Sequence, residues 1–156
     1  MSRRAFWRRY GRLEHERLEF KASVNHIGEA VVAMAMTSGG TILVGISEGP
    51  ALSGCTVDQR LLDRIADVAH ETQVDLGVRR LEVAGVSIVA IEVPRVAPRV
   101  VTTADGRMLH RVGASNRPLR GEGVLRFLAG RVAPREPEWP DRGFRGRRGR
   151  GGAAAA

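Results

Sequence analysis

Three groups of residues in this sequence have the types and spacing to act on a phosphate, and the first is Glu14, Glu19 and Lys21. Carboxylates hold hard cations such as Mg²⁺ or Mn²⁺, and a lysine ammonium can meet a phosphate oxygen. Glu14 and Glu19 are five residues apart, so their side chains converge only if the chain bends between them. Catalysis by this group is one hypothesis; the other is that Lys21 forms a salt bridge with Glu19 or is a solvated edge residue.

The second group is the pair Gly39-Gly40, which stands before an apolar run. A phosphate-binding P-loop requires Gly-Lys-Ser/Thr and a strand followed by a helix, and here the predicted helix comes first. A tight helix-to-strand connection explains both glycines without a ligand.

The third group consists of Arg111, Ser115, Arg117 and Arg120. Arginine and hydroxyl groups on a loop are suited to contacts with backbone phosphates, and Lys21 joins them as a candidate nucleic-acid-binding residue. Ion pairing of Arg111 with an acid such as Glu92 explains that residue equally well. Arg117 and Arg120 are expected to be exposed and available.

Other kinds of site are excluded by residue type. One cysteine and four scattered histidines give no zinc-ligand spacing, and no nucleophile elbow of a serine hydrolase is present. His15 lies beside the glutamates and could carry a proton, although an ordinary surface histidine is the simpler interpretation.

The elements that must position these groups follow from the periodicity of apolar residues. They are, in chain order, a strand over 18–22, a helix over 26–38 capped by Asn25, a strand over 41–46, a helix over 57–73 with a capping box at Thr56–Gln59, strands over 79–83, 86–93, 100–103 and 107–112, and a helix over 122–132. This order predicts a single α/β (α+β) domain, with a mixed β-sheet packed by two to three helices.

The net charge of +8 is concentrated at the two ends of the chain. Residues 1–12 contain five arginines and no acid, residues 134–156 contain six arginines and three acids, and residues 13–133 are balanced. We therefore predict a flexible basic arm at 1–12, a folded domain at 13–133 and a disordered Arg/Gly-rich tail at 134–156. Excess arginine favours nucleic acid as the partner, although biased composition or a solubilising role would give the same count.

Aromatic and arginine residues in the two basic ends have the composition of nucleic-acid-binding segments. The tail resembles RGG segments, which bind RNA through charge and stacking, and its candidate contacts are Arg145, Arg147 and Arg148. Trp7 could stack on a base or pack back onto the domain.

Three motifs in order resemble those of the Schlafen AlbA-2 domain family. They read E-H-E-R-L-E-F-K at 14–21, A-M-T-S-G-G-T-I-L-V-G-I at 35–46 and H-R-V-G-A-S-N-R-P at 110–118. The resemblance covers about residues 12–128 and implies a nucleic-acid-binding domain. In some relatives that domain is an endoribonuclease whose divalent cation is held by two glutamates and an aspartate.

The resemblance places these ligands on particular residues of this chain. Glu14 and Glu19 match the two glutamates, whereas the third position falls on Ser47, with Glu48 next to it. Serine is a poor ligand for a hard cation, so Glu48 is the candidate third ligand for Mg²⁺ or Mn²⁺. Because this site is incomplete, binding without cleavage is the favoured interpretation.

The predicted function is therefore nucleic-acid binding, with RNA slightly favoured over DNA. The alternatives are a divalent-metal-dependent endoribonuclease using Glu14 and Glu19, and a regulatory protein-interaction module without a nucleic-acid role. Related Schlafen domains pair two lobes around a positively charged groove, so a homodimer is expected. The lone Cys55 favours a reducing cytoplasm, and no apolar run is long enough to span a membrane.

Overall fold

The computed structural model describes residues 1–132, which form four helices and eight strands. Their bounds are α1 Arg3–Tyr10, β1 Leu18–Lys21, α2 Gly28–Met36, β2 Gly40–Val44, β3 Ile46–Ser47, β4 Ala51–Leu52, α3 Gln59–Thr72, β5 Gly77–Val83, β6 Val86–Val93, β7 Leu109–Val112, β8 Ser115–Pro118 and α4 Glu122–Val132. The α+β fold class predicted from the sequence is confirmed. The Arg/Gly-rich tail, including Arg145, Arg147 and Arg148, lies outside the described residues.

A mixed four-stranded sheet in the order β1-β2-β6-β5 forms the centre of the fold. Strands β1 and β2 are parallel and are joined by α2, so their carboxyl ends open at the same edge. The other two pairs, β2 with β6 and β6 with β5, are antiparallel. Two short hairpins, β3–β4 and β7–β8, complete the strand pairing.

One face of the sheet is covered by α2 and α3. Alternate residues of β2, Ile42 and Val44, pack on this face with the apolar stripe of α3. All residues of α2 from Ala30 to Met36 are buried, because α3 and the β7–β8 hairpin cover the sides that the sheet does not. A helix that is apolar all round is therefore at the centre of the core.

The opposite face of the sheet is covered by α1. Phe6 is completely buried and belongs to a cluster with Leu18, Leu43 and Ala90. The helix is capped at its start by Ser2, whose hydroxyl accepts a hydrogen bond from the Ala5 amide at 3.1 Å. Residues 3–10 are thus a docked helix, and the prediction of a flexible arm is wrong for them because one face of the segment is apolar.

The first residue also anchors this segment to the sheet. The Met1 amino group donates to the carbonyl of Glu82 at 3.0 Å, and the Ala84 amide donates to the carbonyl of Met1 at 2.9 Å. The N-terminal end of α1 is therefore fixed relative to the β5–β6 hairpin.

Several local predictions differ from the structure. Helix α2 begins at Gly28 with Ile27 as its N-cap, so Asn25 is not the cap. Helix α3 is capped by Asp58, whose Oδ1 accepts from the Leu61 amide at 2.9 Å, because Thr56 lies too far before the first turn.

The hairpin predicted from strands over 100–103 and 107–112 does not form. Thr103 and Arg107 exchange local hydrogen bonds that close a turn, and residues 100–103 are not a strand. Strand β7 pairs instead with β8, which the sequence pattern did not predict. The predicted turn at Ala84-Gly85 and the last helix are confirmed.

The two glycines before β2 are explained by close backbone contacts. A Cβ on Gly40 would lie 2.5 Å from the carbonyl oxygen of Arg17, and one on Gly39 would lie 2.7 Å from that of Val93. The backbone angle φ is +69° at Gly39 and +154° at Gly40, both unfavourable for other residues. The glycines therefore let β2 approach its neighbours, in agreement with the interpretation that needs no ligand.

Gly40→Ala should destabilise the protein by about 2 kcal/mol or more, because strain in φ and a backbone clash act together. Urea denaturation measures this change. Gly106→Ala is the matched control, since Gly106 has φ +83° but nothing within 4 Å of the added Cβ. Equal losses of stability in the two variants would show that the close approach of Gly40 to Arg17 does not contribute to the destabilisation.

Candidate nucleic-acid interface

The residues of the first sequence motif surround an open groove of about 840 Å³, which we call the first groove. It is lined by residues 12–14, 19–22 and 46–50, from the chain before β1, from β1 and from the β3–β4 hairpin. Glu14, Glu19, Lys21 and Glu48 all contribute to its wall. The structure therefore brings the predicted catalytic and metal-binding side chains to one place.

Glu19 is nevertheless held inside the protein by two cations. Its side chain is only 7% exposed, Lys21 Nζ lies 2.9 Å from Oε1, and Arg111 Nη1 pairs with Oε2. Both carboxylate oxygens thus already have charged partners. The salt bridge between Lys21 and Glu19, one of the two interpretations from the sequence, is present.

Arg111 is buried and has no free donor for a phosphate. Besides Glu19 it donates to Asn116 Oδ1 at 2.7 Å, and to the carbonyls of His15 and Leu18 at 3.0 Å each. Its guanidinium is therefore not available for nucleic-acid binding, and the alternative from the sequence, an ion pair with an acid, is present with Glu19 in place of Glu92. Arg111 instead ties the β7–β8 hairpin to β1 and to the chain before it.

The remaining carboxylates do not complete a cation site. Glu14 Oε1 accepts a hydrogen bond from the Phe20 amide at 2.7 Å, which fixes the bend before β1, and Glu48 is exposed on the β3–β4 turn. Among residues 1–132, no three His, Cys, Asp or Glu side chains are close enough to hold a metal ion. The side chains present do not fit the predicted Mg²⁺ or Mn²⁺ site of Glu14, Glu19 and Glu48.

The members of the third predicted group, Arg111, Ser115, Arg117 and Arg120, differ in their exposure to solvent. Ser115 and Arg117 are exposed on β8, and Arg120 is exposed just after it. Asn116, between them, turns inward to Arg111, which the sequence did not reveal. Arg117 and Arg120 are therefore accessible as predicted, while Arg111 is structural.

One cluster of unpaired positive charge lies on α1 and just after it. Its five arginines are all exposed, and none forms an ion pair with any acid of residues 1–132; they are Arg3, Arg4, Arg8, Arg9 and Arg12. On neighbouring β5, in contrast, Arg79 lies 2.8 Å from Glu92, and this hydrogen bond raises the pKa of Arg79. We call α1 with Arg12 the basic helix.

Aromatic packing connects the basic helix to the first groove. The ring of Trp7 meets Phe6 at 4.9 Å and Phe20 at 5.9 Å between centroids, and Phe20 lines the groove. The guanidinium of Arg12 lies 5.3 Å from the centroid of Trp7 in a cation–π contact. Trp7 thus packs back onto the domain, which decides between its two sequence interpretations.

The basic helix was missed at the sequence level although its signals are present. Ser2 is a favoured N-cap residue, Gly11 a favoured residue after the last turn, and Phe6, Trp7 and Tyr10 follow helical spacing. The segment was predicted to be a flexible arm because its many arginines outweighed this short amphipathic pattern.

The family model for Schlafen, AlbA_2 matches residues 14–120, which include the whole sheet, the two short hairpins and most of the first groove. The chain belongs to the Schlafen AlbA_2 family. The basic helix precedes the matched range, so its five unpaired arginines lie outside the part of this AlbA_2 domain that the family model matches. Among curated proteins, none is similar to it in sequence.

A solved structure agrees with the fold of this AlbA_2 domain. The DIP2311 protein from Corynebacterium diphtheriae superposes with a TM-score of 0.61 at 20% identity, over 74% of this chain. The matched part is 27% of that protein, so this chain corresponds to about a quarter of its length. The N-terminal domain of a RecG-related protein from Nitrosomonas europaea matches with a TM-score of 0.46 at 18% identity, over 67% of this chain and 83% of that one.

Proposed function

We propose that this AlbA_2 domain binds nucleic acid through the basic helix, with RNA favoured over DNA. The observation that carries the proposal is the set of five exposed arginines that have no acid partner within residues 1–132, on a helix fixed by the buried Phe6. Family membership supports the partner class, and the preference for RNA rests on the Schlafen resemblance alone.

A fixed helix is better suited to this role than a flexible arm. Arginine guanidinium groups make forked hydrogen bonds to phosphate, and their attraction to a polyanion is a large part of non-specific affinity. Docking of α1 on the sheet has already removed the backbone freedom that a disordered arm would lose on binding. Arg117 and Arg120 are further exposed contacts, and Lys21 is restricted by its pairing with Glu19.

Cleavage by a metal-dependent mechanism has no support from the geometry. Glu19 is neutralised by Lys21 and Arg111, and the described carboxylates do not form a cation site. We therefore propose a binding protein without nuclease chemistry in the first groove. A regulatory module without nucleic-acid binding is kept as an outcome of the test.

Arg4→Gln/Arg8→Gln should weaken binding of a labelled single-stranded RNA several-fold at low salt. Each lost phosphate contact should also flatten the plot of log K against log salt by about 0.7. Fluorescence anisotropy over a salt series measures both. Arg80→Gln/Arg126→Gln is the matched control, because it removes the same charge from two exposed arginines that pair with Glu82 and Glu122.

Equal weakening in both double variants would mean that only net charge matters and would contradict the role of the basic helix. No binding by the full chain would favour the interaction-module alternative. A single-stranded DNA of the same sequence, titrated in parallel, should bind less tightly than the RNA.

The homodimer and the cytoplasmic location stay predictions. Sedimentation of the full chain with and without RNA tests the first. For the part of the chain between residues 1 and 132, no helix is both long and apolar enough to cross a membrane.

A further inference from the structure

A second groove, of about 430 Å³, lies beside the first at the carboxyl ends of the parallel strands β1 and β2. Its floor is apolar, with Val24, Val44 and Leu61, and the start of α3 forms one wall. Pockets of several hundred Å³ with an apolar floor and a few polar groups are typical of small-ligand sites. In open α/β sheets, ligands also bind outside the carboxyl ends of parallel strands.

The wall formed by α3 is positively charged. Arg60 and Arg64 both line the groove, both are exposed, and neither forms an ion pair with an acid of residues 1–132. They are four residues apart, so they project from the same side of the helix one turn apart, where like charges repel. A bound anion would relieve this repulsion.

The acids nearest to this pair in sequence already have partners. Asp58, which also lines the groove, accepts from the Leu61 amide at 2.9 Å as the helix cap. Asp63 accepts from the Gln59 side chain at 2.7 Å. The charged hydrogen-bond donors of the α3 wall are therefore the two guanidinium groups.

Cys55, at the bottom of the groove, adds to its apolar character. Its thiol lies 3.7 Å from the carbonyl of Val44 and 3.6 Å from that of Ser87. Burial raises the pKa of this thiol, so it stays neutral at physiological pH. The floor thus offers contact area for a flat, uncharged group, and Ser23 and Asn25 at the rim offer hydrogen bonds.

We propose that the second groove binds one nucleotide, with its phosphate on Arg60 and Arg64 and its base on the floor of Val24, Val44 and Leu61. The chemistry is that of a free nucleoside monophosphate or of the 5′-phosphorylated end of a strand. The strand-end source rests on the proposed function. It is geometrically consistent because the two grooves share Ala22, so a strand beside the basic helix and first groove leads to the second.

Titration of the full chain with AMP and with UMP, followed by amide NMR shifts, tests this proposal directly. Saturable shifts should be confined to residues 22–25, 44 and 54–64, and Arg60→Gln/Arg64→Gln should weaken binding roughly tenfold or more. Arg80→Gln/Arg126→Gln, the same charge change elsewhere, should leave binding unchanged. Shifts that do not saturate at millimolar nucleotide, or that lie outside this region, would overturn the proposal.

Two RNA strands of one sequence, with a 5′-phosphate or a 5′-hydroxyl, identify the source of the nucleotide. Tighter binding of the phosphorylated strand, lost in Arg60→Gln/Arg64→Gln, supports recognition of a strand end. Equal binding of both strands together with saturable AMP binding supports a free nucleotide. AMP binding by a protein that binds no RNA would overturn the proposed function but not this site.

Discussion

Arg111→Ala should lower the free energy of unfolding by about 3–5 kcal/mol, the range for breaking a buried ion pair and leaving its partner charged. The side chains of Arg111 and Glu19 are 0% and 7% exposed, so solvent screens the pair little. Loss of the guanidinium also removes one of the hydrogen bonds accepted by each of the carbonyls of His15 and Leu18. Urea denaturation monitored by circular dichroism measures the change.

Arg117→Ala is the matched control, because Arg117 is exposed on the same hairpin and its replacement should change stability by less than about 0.5 kcal/mol. Glu19→Leu/Arg111→Met should recover much of the stability lost in the single variant, since replacing both members of a buried pair by apolar residues is often neutral. A loss below about 1 kcal/mol for Arg111→Ala would contradict the structural role.

The same variants separate a structural role from a phosphate contact. At a temperature where Glu19→Leu/Arg111→Met is folded, its affinity for RNA should equal that of the unsubstituted protein, because Arg111 faces Glu19 and not solvent. Selective loss of RNA affinity in a folded variant would restore the role that the sequence motif suggested.

Phe6→Ala should lower the free energy of unfolding by about 3–5 kcal/mol, the usual range for removing a buried phenylalanine side chain. Phe6 is the fully buried residue of α1, so its removal should also release the basic helix from the sheet. The charge of the chain is unchanged, and a fall in RNA affinity would therefore report the loss of a fixed arrangement of arginines. Urea denaturation and fluorescence anisotropy measure the two effects.

Leu13→Ala provides the control for Phe6→Ala, because Leu13 is 79% exposed. Its replacement should change neither the free energy of unfolding nor the affinity for RNA by much. Phe6→Leu keeps the domain folded at a smaller cost and should reduce RNA affinity less than Phe6→Ala. Unchanged affinity in folded Phe6→Ala would mean that residues 1–12 act as the flexible arm that their composition suggested.

The two predictions concern one part of the molecule inside the range of the family match and one part outside it. The pair of Glu19 and Arg111 lies within the range of the family match, and it joins two of the three motifs that carried the resemblance. The basic helix lies before that range. Loss of RNA binding on release of the helix would therefore assign the activity to a segment outside the range that the family model matches.

Features that depend on neighbouring residues could be predicted from the amino-acid sequence. The apolar run of α2, the turn at Ala84-Gly85 and the glycines before β2 were all predicted from local patterns, because helix periodicity and positive φ are properties of short segments. The three motifs likewise identified the family. Glu14, Glu19, Lys21 and Glu48, the candidate catalytic and metal-binding residues, line one groove in the structure.

The contacts that these side chains make depend on the tertiary structure. Glu19 and Arg111 are 92 residues apart, and nothing local in either segment specifies that one faces the other. The packing of the β7–β8 hairpin beside β1 sets that contact, and it converts a predicted metal ligand and a predicted phosphate contact into a buried ion pair. Docking of Phe6 on the sheet likewise converts a basic arm into a fixed helix, because burial of an aromatic ring offsets the entropy of ordering the segment.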